Sequence, residues 1–260
     1  MAHPPHSPYT RPQCPKTSPP IPAATLVVFR ERGDGPPELL MLERSAAMRF
    51  AGGAVVFPGG RVDAGDHAFA ATLPDDPDDL AARVAAVRET IEEAGVAIGV
   101  DLPDLPAARR ALYDGIPFAE VIAGAKFDPA ALVPFARWLP HQGVAHRIFD
   151  TRFYLARWPD GAPDPAVDGN ENSQLFWSSA RDTLAAADAG KVRMIFPTRR
   201  NLERLALFNS FDDAVADARA HPIETITPWI EARDGVDHLC IPEGLGYPVI
   251  AQALGAALRA

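Results

Sequence analysis

The sequence predicts an α/β protein, and three observations support that class. Short β-branched or apolar runs, typical of strands, are interleaved with longer stretches of helical spacing and without a strict strand–helix–strand rhythm. The composition, 47% hydrophobic and 23% charged, is ordinary for a globular protein and excludes wholesale disorder. A chain of 260 residues is also long enough to bury a full core without disulfides or structural metals.

The first elements expected after a Pro-rich N-terminal arm are strands. Residues 24–29 form a β-branched run that ends near a turn-like Gly/Pro stretch, and residues 38–42 form a second run, which together predict a hairpin. A third extended segment, residues 54–57, stops at Pro58. Acidic residues and two prolines make residues 63–79 a predicted loop.

Residues 80–94 carry the clearest helical pattern. Asp78 or Asp79 is the expected N-cap, and Gly95 occupies the position of a left-handed residue that ends a helix. At about 100° per residue, the apolar side chains form one stripe and the glutamates lie on the opposite side. The glutamates of that polar face are Glu89, Glu92 and Glu93.

The remaining pattern predicts mixed helices and strands. Residues 101–132 indicate one or two helices, residues 147–156 and 174–177 indicate strands, and residues 179–190 and 198–220 indicate helices. The tail beyond these helices alternates short apolar runs with Gly and Pro and has no clear assignment.

Charge and cysteine content exclude several classes of function. The net charge of −9 argues against a nucleic-acid partner, which would require a basic surface. The two cysteines, Cys14 and Cys240, are far apart, which excludes a disulfide scaffold or a cysteine zinc site and fits a reducing compartment. No apolar stretch is long enough for a membrane span and the N-terminus lacks a signal-like apolar region, so we expect a cytoplasmic protein with no membrane partner.

Three carboxylates on one helix face have two interpretations. They suit a hard divalent cation, because Mg²⁺ prefers carboxylate oxygens and bridges them to substrate phosphates. Alternatively they form a solvated acidic face, in which Arg88 pairs with Glu92 one turn later. The helix by itself leaves both open. The preceding strand ends in Gly59 and Gly60, where the backbone can approach a ligand or metal closely, and this favours the cation.

Gly60 and residues 88–96 together resemble the Nudix box, G-x5-E-x7-R-E-U-x-E-E-x-G-U, where U is aliphatic. The chain is identified on these residues as a Nudix hydrolase. It departs from the pattern at Asp66, which replaces the first glutamate, and at Thr90, which takes an aliphatic position. Residues 67–87 number 21 where seven are expected, an insertion of 14. An insertion at this point is similar to that of the coenzyme A diphosphatase branch, whose mammalian member is peroxisomal.

A second motif lies before the box. Residues 40–60 resemble L-L-T-x-R-(S/A)-x3-R-x3-G-x3-F-P-G-G, the pattern of coenzyme A-hydrolysing Nudix enzymes, with two substitutions near its start. Either of its arginines alone would be a surface or ion-paired residue, but in this motif their forked donors suit phosphate oxygens. The substrate-binding residues that the resemblance implies are Arg44, Ser45, Arg49, Gly59 and Gly60.

The resemblance also implies the architecture. We expect a Nudix α/β/α sandwich with a mixed sheet and a helical C-terminal extension. The expected boundaries are a flexible Pro-rich arm at 1–22, a Nudix domain at 23–222 with the insertion at about 67–80, and a C-terminal extension at 223–260 that packs on the domain.

The activity implied is hydrolysis of the pyrophosphate bond of coenzyme A or acyl-coenzyme A, with Mg²⁺ or Mn²⁺ as cofactor. The products are 3′,5′-ADP and 4′-phosphopantetheine or its acyl form. Glu89, Glu92, Glu93 and the Gly60 carbonyl are the implied metal ligands. The three glutamates and Glu171 are the implied catalytic residues, with Glu89 or Glu171 as base, although Glu171 also fits an ordinary loop glutamate.

Two other functions remain open at this point. One is a Nudix pyrophosphatase that acts on ADP-ribose, NADH or another nucleoside diphosphate derivative. The other is a Nudix-fold regulator that binds a ligand without turnover. In each case the partner is a small molecule, and the sequence leaves the oligomeric state open, a homodimer included.

Overall fold

A computed structural model of the chain describes residues 19–33, 35–47, 51–140, 148–167 and 172–257. The strands of this part are β1 (Ile21–Arg30), β2 (Glu38–Arg44), β3 (Val55–Val56), β4 (Gly59–Arg61), β5 (Val133–Trp138), β6 (Phe149–Arg157), β7 (Asn172–Ser179), β8 (Thr225–Ile226), β9 (Trp229–Arg233), β10 (Val236–Cys240) and β11 (Ala251–Ala253). The helices are α1 (Ala64–Ala70), α2 (Pro77–Ala94), α3 (Leu105–Tyr113), α4 (Phe118–Val121), α5 (Ala180–Asp188), α6 (Phe196–Leu205), α7 (Phe211–Ala220) and α8 (Leu254–Ala257).

Strand β1 lies in the middle of an eight-stranded mixed sheet. The order is β3-β2-β1-β6-β5-β8, with β4 also paired to β1 and β7 to β2. β1 runs parallel to β6 and antiparallel to β2 and β4. The other parallel pair is β5 and β8. The predicted mixed sheet and the predicted hairpin of β1 and β2 are therefore confirmed.

Successive side chains of β1 point to opposite faces of the sheet, as the period of a strand requires. Leu26 and Val28 belong to the core cluster that contains the apolar side of α2. Val27 and Phe29 belong to a second cluster on the other face, which contains residues of α6 and α7. Helices thus cover both faces, and the predicted α/β/α sandwich is confirmed.

Helix α2 begins earlier than predicted. Its N-cap is Asp76, whose side chain accepts a hydrogen bond from the Asp78 backbone, and Pro77 takes the first helical position, where its missing N–H costs nothing. Asp78 and Asp79 therefore lie in the first turn, and the prediction of either as the N-cap is wrong. Gly95 ends the helix in the left-handed conformation at φ +66°, as predicted.

The segment predicted as an acidic loop contains α1, so that prediction is wrong. Asp63 and Asp66 form a reciprocal capping box at its start. Its Phe69 ring packs against Phe118 and Phe127, with ring centroids 5.9–6.0 Å apart. This tertiary aromatic contact stabilises a short helix that local composition does not reveal.

The remaining helices and strands before the tail follow the predictions, with three differences. The prediction omits β4, which pairs with β1, and β5, which pairs with β6. The long helical stretch predicted after β7 is divided into α6 and α7. Within the residues that the structure describes, no helix is long and apolar enough to cross a membrane.

The tail after α7 forms a separate three-stranded sheet in the order β11-β10-β9. Ile241, Leu245 and Tyr247 of this tail are buried in the second core cluster. Four charged side chains of α6 and α7 lie beneath it, and we call them the C-terminal cluster: Arg200, Glu203, Arg204 and Asp217.

Candidate functional site

The polar side of α2 faces β4 and the turn that precedes it. Glu93 is the most enclosed of its carboxylates, with 5% exposure. Its Oε2 accepts a hydrogen bond of 2.8 Å from the Gly59 backbone N–H, and its Oε1 accepts one of 3.1 Å from Asn172 Nδ2. Burial, reinforced by the charge of Glu89, raises the pKa of Glu93 to about 8 against the opposing effect of these two bonds.

Gly60 lies directly against the carboxylate of Glu89. A Cβ added at Gly60 would stand 2.4 Å from Glu89 Oε1, so any larger residue would have to displace the Glu89 carboxylate. Burial raises the pKa of Glu89 to about 7, although the neighbouring Arg88 opposes the shift. The backbone of Gly60 and the Glu89 carboxylate therefore share one small space.

Arg88 connects the glutamates to α1. Its Nε and Nη2 donate to the two carboxylate oxygens of Asp66, each at 3.0 Å. Its Nη1 donates to Glu89 Oε1 at 2.9 Å and to Glu92 Oε1 at 3.1 Å. These are the contacts of a residue that orients carboxylates rather than one that faces solvent. Asp66, which replaces the glutamate of the box pattern, is 1% exposed and serves as the anchor for Arg88.

This group has more negative than positive charge. We call it the box cluster, and its members are Asp66, Arg88, Glu89, Glu92 and Glu93. Arg88 pairs with three of the four carboxylates, Asp66, Glu89 and Glu92, and burial near one another raises the pKa values of Glu89 and Glu93. Carboxylate oxygens in excess are the donor set that suits Mg²⁺ or Mn²⁺, so the residues fit such a cation in kind.

The carboxylates do not form a ready-made cage. Among the described residues, no three His, Cys, Asp or Glu side chains are arranged to hold a metal ion. The reason lies in the hydrogen bonds, because Arg88 draws Glu89 and Glu92 towards itself while Gly59 and Asn172 hold Glu93.

Arg44 reaches the same site from the end of β2. The pairing of β2 with β7 shifts register between Glu43 and Arg44, a local irregularity of the kind that redirects a side chain. Arg44 pairs across the strands with Asn172, whose side chain donates to Glu93, and the positive charge of Arg44 lowers the pKa of Glu93. Its Nε is buried and has no hydrogen-bond partner among the described residues. Arg44 thus has a donor to offer a ligand.

The structure brings together most of the residues predicted from the sequence. Ser45 follows Arg44 directly and is half-buried. Gly59 has a φ of +153°, and a Cβ there would stand 2.3 Å from the Ala24 carbonyl oxygen, so glycine is required. Arg49 and Glu171 lie outside the described residues. Their predicted roles in substrate binding and catalysis stay predictions.

Sequence patterns missed one residue of the site. Asn172 is 2% exposed, pairs with Arg44 across β7 and β2, and donates to Glu93. No motif position indicates it. The available signal was its place at the start of a strand, immediately after the predicted Glu171.

Comparisons with known proteins agree with this geometry. No protein-family model matches the sequence. The chain is 26% identical over 276 residues to an acyl-coenzyme A diphosphatase of Gallus gallus, covering 81% of this chain and 73% of that protein. It is 28% identical over 266 residues to an acyl-coenzyme A diphosphatase of Homo sapiens, covering 77% of this chain and 70% of that protein.

A solved structure shares the fold. The crystal structure of a Nudix hydrolase from Alicyclobacillus acidocaldarius superposes with a TM-score of 0.68 at 29% identity. The match covers 76% of this chain and 96% of that one. The sequence relatives are thus acyl-coenzyme A diphosphatases, and the structural neighbour is a Nudix hydrolase.

Proposed function

We propose that this chain, a member of the Nudix hydrolase superfamily, hydrolyses the pyrophosphate bond of coenzyme A or acyl-coenzyme A with the help of Mg²⁺ or Mn²⁺. The products would be 3′,5′-ADP and 4′-phosphopantetheine or its acyl form. The proposal depends on one observation: residues of the coenzyme A motif and of the Nudix box lie together at the polar side of α2. Arg44 of the first motif acts electrostatically on Glu93 of the second, beside the close-packed Gly59 and Gly60.

The acidic part of the site would hold the cation. Glu89, Glu92, Glu93 and the Gly60 carbonyl supply oxygens on one side of α2. A divalent cation bound there supplies charge neutralisation for the diphosphate and activation of water. Arg88 would keep the carboxylates oriented, since its other donors are fixed to Asp66.

The substrate would be held by donors from the opposite side. Arg44 has a buried Nε without a partner among the described residues, and a guanidinium suits phosphate oxygens. Arg49, the second arginine of the first motif, would add another guanidinium. The names of the chicken and human relatives support a coenzyme A ester as the compound that carries these phosphates.

A proton acceptor is needed when water attacks the phosphorus atom. Glu89 is suited to this role because its pKa is raised to about 7, close to the working pH of a general base. Glu171 is the second candidate, from its place in the sequence.

Product analysis by mass spectrometry tests the proposal. The purified protein is offered coenzyme A, acetyl-coenzyme A, ADP-ribose, NADH and deoxynucleoside triphosphates separately, each with Mg²⁺ or Mn²⁺. We expect 3′,5′-ADP from the two coenzyme A samples. Preferential cleavage of ADP-ribose or NADH would contradict the proposed substrate but not the proposed pyrophosphate hydrolysis. Ligand binding without any product would instead indicate a Nudix-fold regulator that binds a ligand without turnover.

A pair of arginine variants makes the test sharper. Arg44→Gln should raise the KM for coenzyme A by about tenfold, because it removes a charge-assisted contact to phosphate. Arg32→Gln is the matched control, since Arg32 is exposed and pairs only with Glu38 among the described residues. It should leave KM unchanged. An equal KM for Arg44→Gln and the parent would remove Arg44 from the substrate site.

A further inference from the structure

The last turn of α2 carries Glu92 and Glu93, and its backbone is held from outside the helix. The last carbonyl groups of an α-helix have no partner within the helix. Here the Glu92 carbonyl accepts hydrogen bonds from Arg109 Nε at 2.9 Å and from the Tyr113 hydroxyl at 2.5 Å. The Glu93 carbonyl accepts one from Arg109 Nη2 at 3.2 Å. A single guanidinium thus bridges the carbonyls of two neighbouring candidate metal ligands.

The adjacent carbonyls are satisfied in other ways. The Ile91 carbonyl accepts from the Gly95 N–H at 2.9 Å, within the usual C-cap. The Ala94 carbonyl accepts from the Ala166 N–H at 2.9 Å, in the segment between β6 and β7. Only the two glutamates therefore depend on α3 for their carbonyl partners among these four positions.

The geometry of Arg109 suits this task better than that of a lysine would. Its planar fork presents two N–H groups to successive carbonyls, and its charge lies at the negative end of the helix dipole. Its Nη1 lies 3.1 Å from the place of a Cβ at Gly95, so the guanidinium also packs on the C-cap. The neighbouring Arg110 points to solvent and has no comparable contact among the described residues.

We infer that Arg109 is a positioning residue, which fixes the last turn of α2 and thereby the carboxylates of Glu92 and Glu93. Tyr113 contributes through its hydrogen bond to the Glu92 carbonyl. Glu93 is then held at both ends, at its carboxylate by Gly59 and Asn172 and at its carbonyl by Arg109. The inference rests on the proposed function in one respect, that these glutamates hold the divalent cation.

The test measures Mn²⁺ affinity by titration calorimetry on the folded protein without substrate, at a temperature well below every variant's unfolding transition. Arg109→Met should weaken Mn²⁺ binding by about tenfold, the range for loss of a partner that orients a metal ligand. Arg109→Lys should be nearly as weak, because an ammonium cannot bridge both carbonyls. Tyr113→Phe should weaken binding by about threefold, the equivalent of one hydrogen bond. Arg110→Met is the matched control and should bind as the parent does.

Hydrogen exchange provides a second readout that does not involve the metal. Amides of the last turn of α2 should exchange faster in Arg109→Met than in Arg110→Met, while amides in its first turn stay protected. The inference is overturned if the parent binds Mn²⁺ and Arg109→Met binds it equally well. If Arg109→Met does not fold, unchanged affinity in Tyr113→Phe overturns it. A parent protein that binds no Mn²⁺ contradicts the proposed cation site instead.

Discussion

The box cluster and the C-terminal cluster are both groups of buried charges, but they lie on opposite faces of the main sheet and differ in balance. In the box cluster, three of the four carboxylates share Arg88, and the fourth, Glu93, accepts from Gly59 and Asn172 instead. In the C-terminal cluster, two guanidiniums meet two carboxylates: Arg200 pairs with Glu203 and Arg204 with Asp217, and Arg199 and His221 add further contacts to these carboxylates. Both clusters contain arginines and acids, so burial of charge alone does not distinguish a site from a structural network.

The C-terminal cluster pairs its opposite charges within the protein, although Arg200 Nε and Glu203 Oε2 are buried without a hydrogen-bond partner among the described residues. The Arg204 guanidinium donates to Asp217 Oδ2 at 2.8 Å and to the Phe135 carbonyl, and it stacks 4.2 Å from the centre of the Phe135 ring. Arg200 donates to Glu203 and to the Gln252 side chain of the tail. These contacts join α6 and α7 to β5 and the C-terminal tail. The excess of one sign, not the presence of buried ions, is what indicates a ligand in the box cluster.

The largest expected effect breaks the box cluster. Glu93→Gln keeps the size of the side chain and removes one charge, so we expect kcat/KM to fall at least about 100-fold, since even the loss of a ligand's supporting partner costs 10–100-fold. Steady-state kinetics on coenzyme A checks it.

The matched control comes from the other cluster. Glu203→Gln removes a charge of the same type from a side chain that is 13% exposed, and it should leave kcat/KM of the folded enzyme within about twofold of the parent. Equal losses in the two variants would show that the difference in charge balance has no functional meaning.

The second prediction is a loss of stability when an arginine of the C-terminal cluster is replaced. Arg204→Met removes the guanidinium that pairs with Asp217 and donates to the Phe135 carbonyl, leaving the Asp217 carboxylate with His221 at 3.3 Å. The arginine side chain is 2% exposed and lies between the two groups. We expect the free energy of unfolding to fall by about 3 kcal/mol, with kcat of the remaining folded protein unchanged. Urea denaturation measures the first quantity. A stable variant with lost activity would assign this cluster to the active site.

The sequence predicted the site better than it predicted the segments around it. Glu89, Glu92 and Glu93 share a face because helical spacing alone determines it. Gly59 is a recognisable motif position because its φ of +153° and the nearby Ala24 carbonyl require glycine, and at Gly60 a side chain would displace the Glu89 carboxylate. The box pattern could be recognised because its requirements are local: they involve residues that are close together in the sequence.

The missed features depend on contacts between distant segments. Asn172 and Arg109 reach α2 from β7 and α3, and no periodicity records which side chain meets which carbonyl. Helix α1 is stabilised by rings from α4 and the segment after it, which override its acidic, Pro-flanked composition. Arg200 lies in a stretch that spacing predicts as helical, but no local pattern shows that the C-terminal tail covers it.

The smallest expected effect is on the pH dependence of stability, to which the carboxylates of the box cluster contribute. The pKa of Glu89 is raised to about 7 and that of Glu93 to about 8, from an ordinary value of 4.5, so the folded state holds more protons than the unfolded state between pH 4.5 and about 8. Without a divalent cation, the contribution of these two groups to stability is fully present below about pH 4.5 and is lost as the pH rises to about 8. The Tm should fall over that window by about 5 °C more than in the Glu89→Gln, Glu93→Gln double variant. Addition of Mg²⁺ should reverse the fall in the parent alone, because the cation binds the deprotonated carboxylates. Identical pH profiles for the parent and the double variant would mean that the two carboxylates are solvated, and the excess charge of the box cluster would then carry no information about a cation.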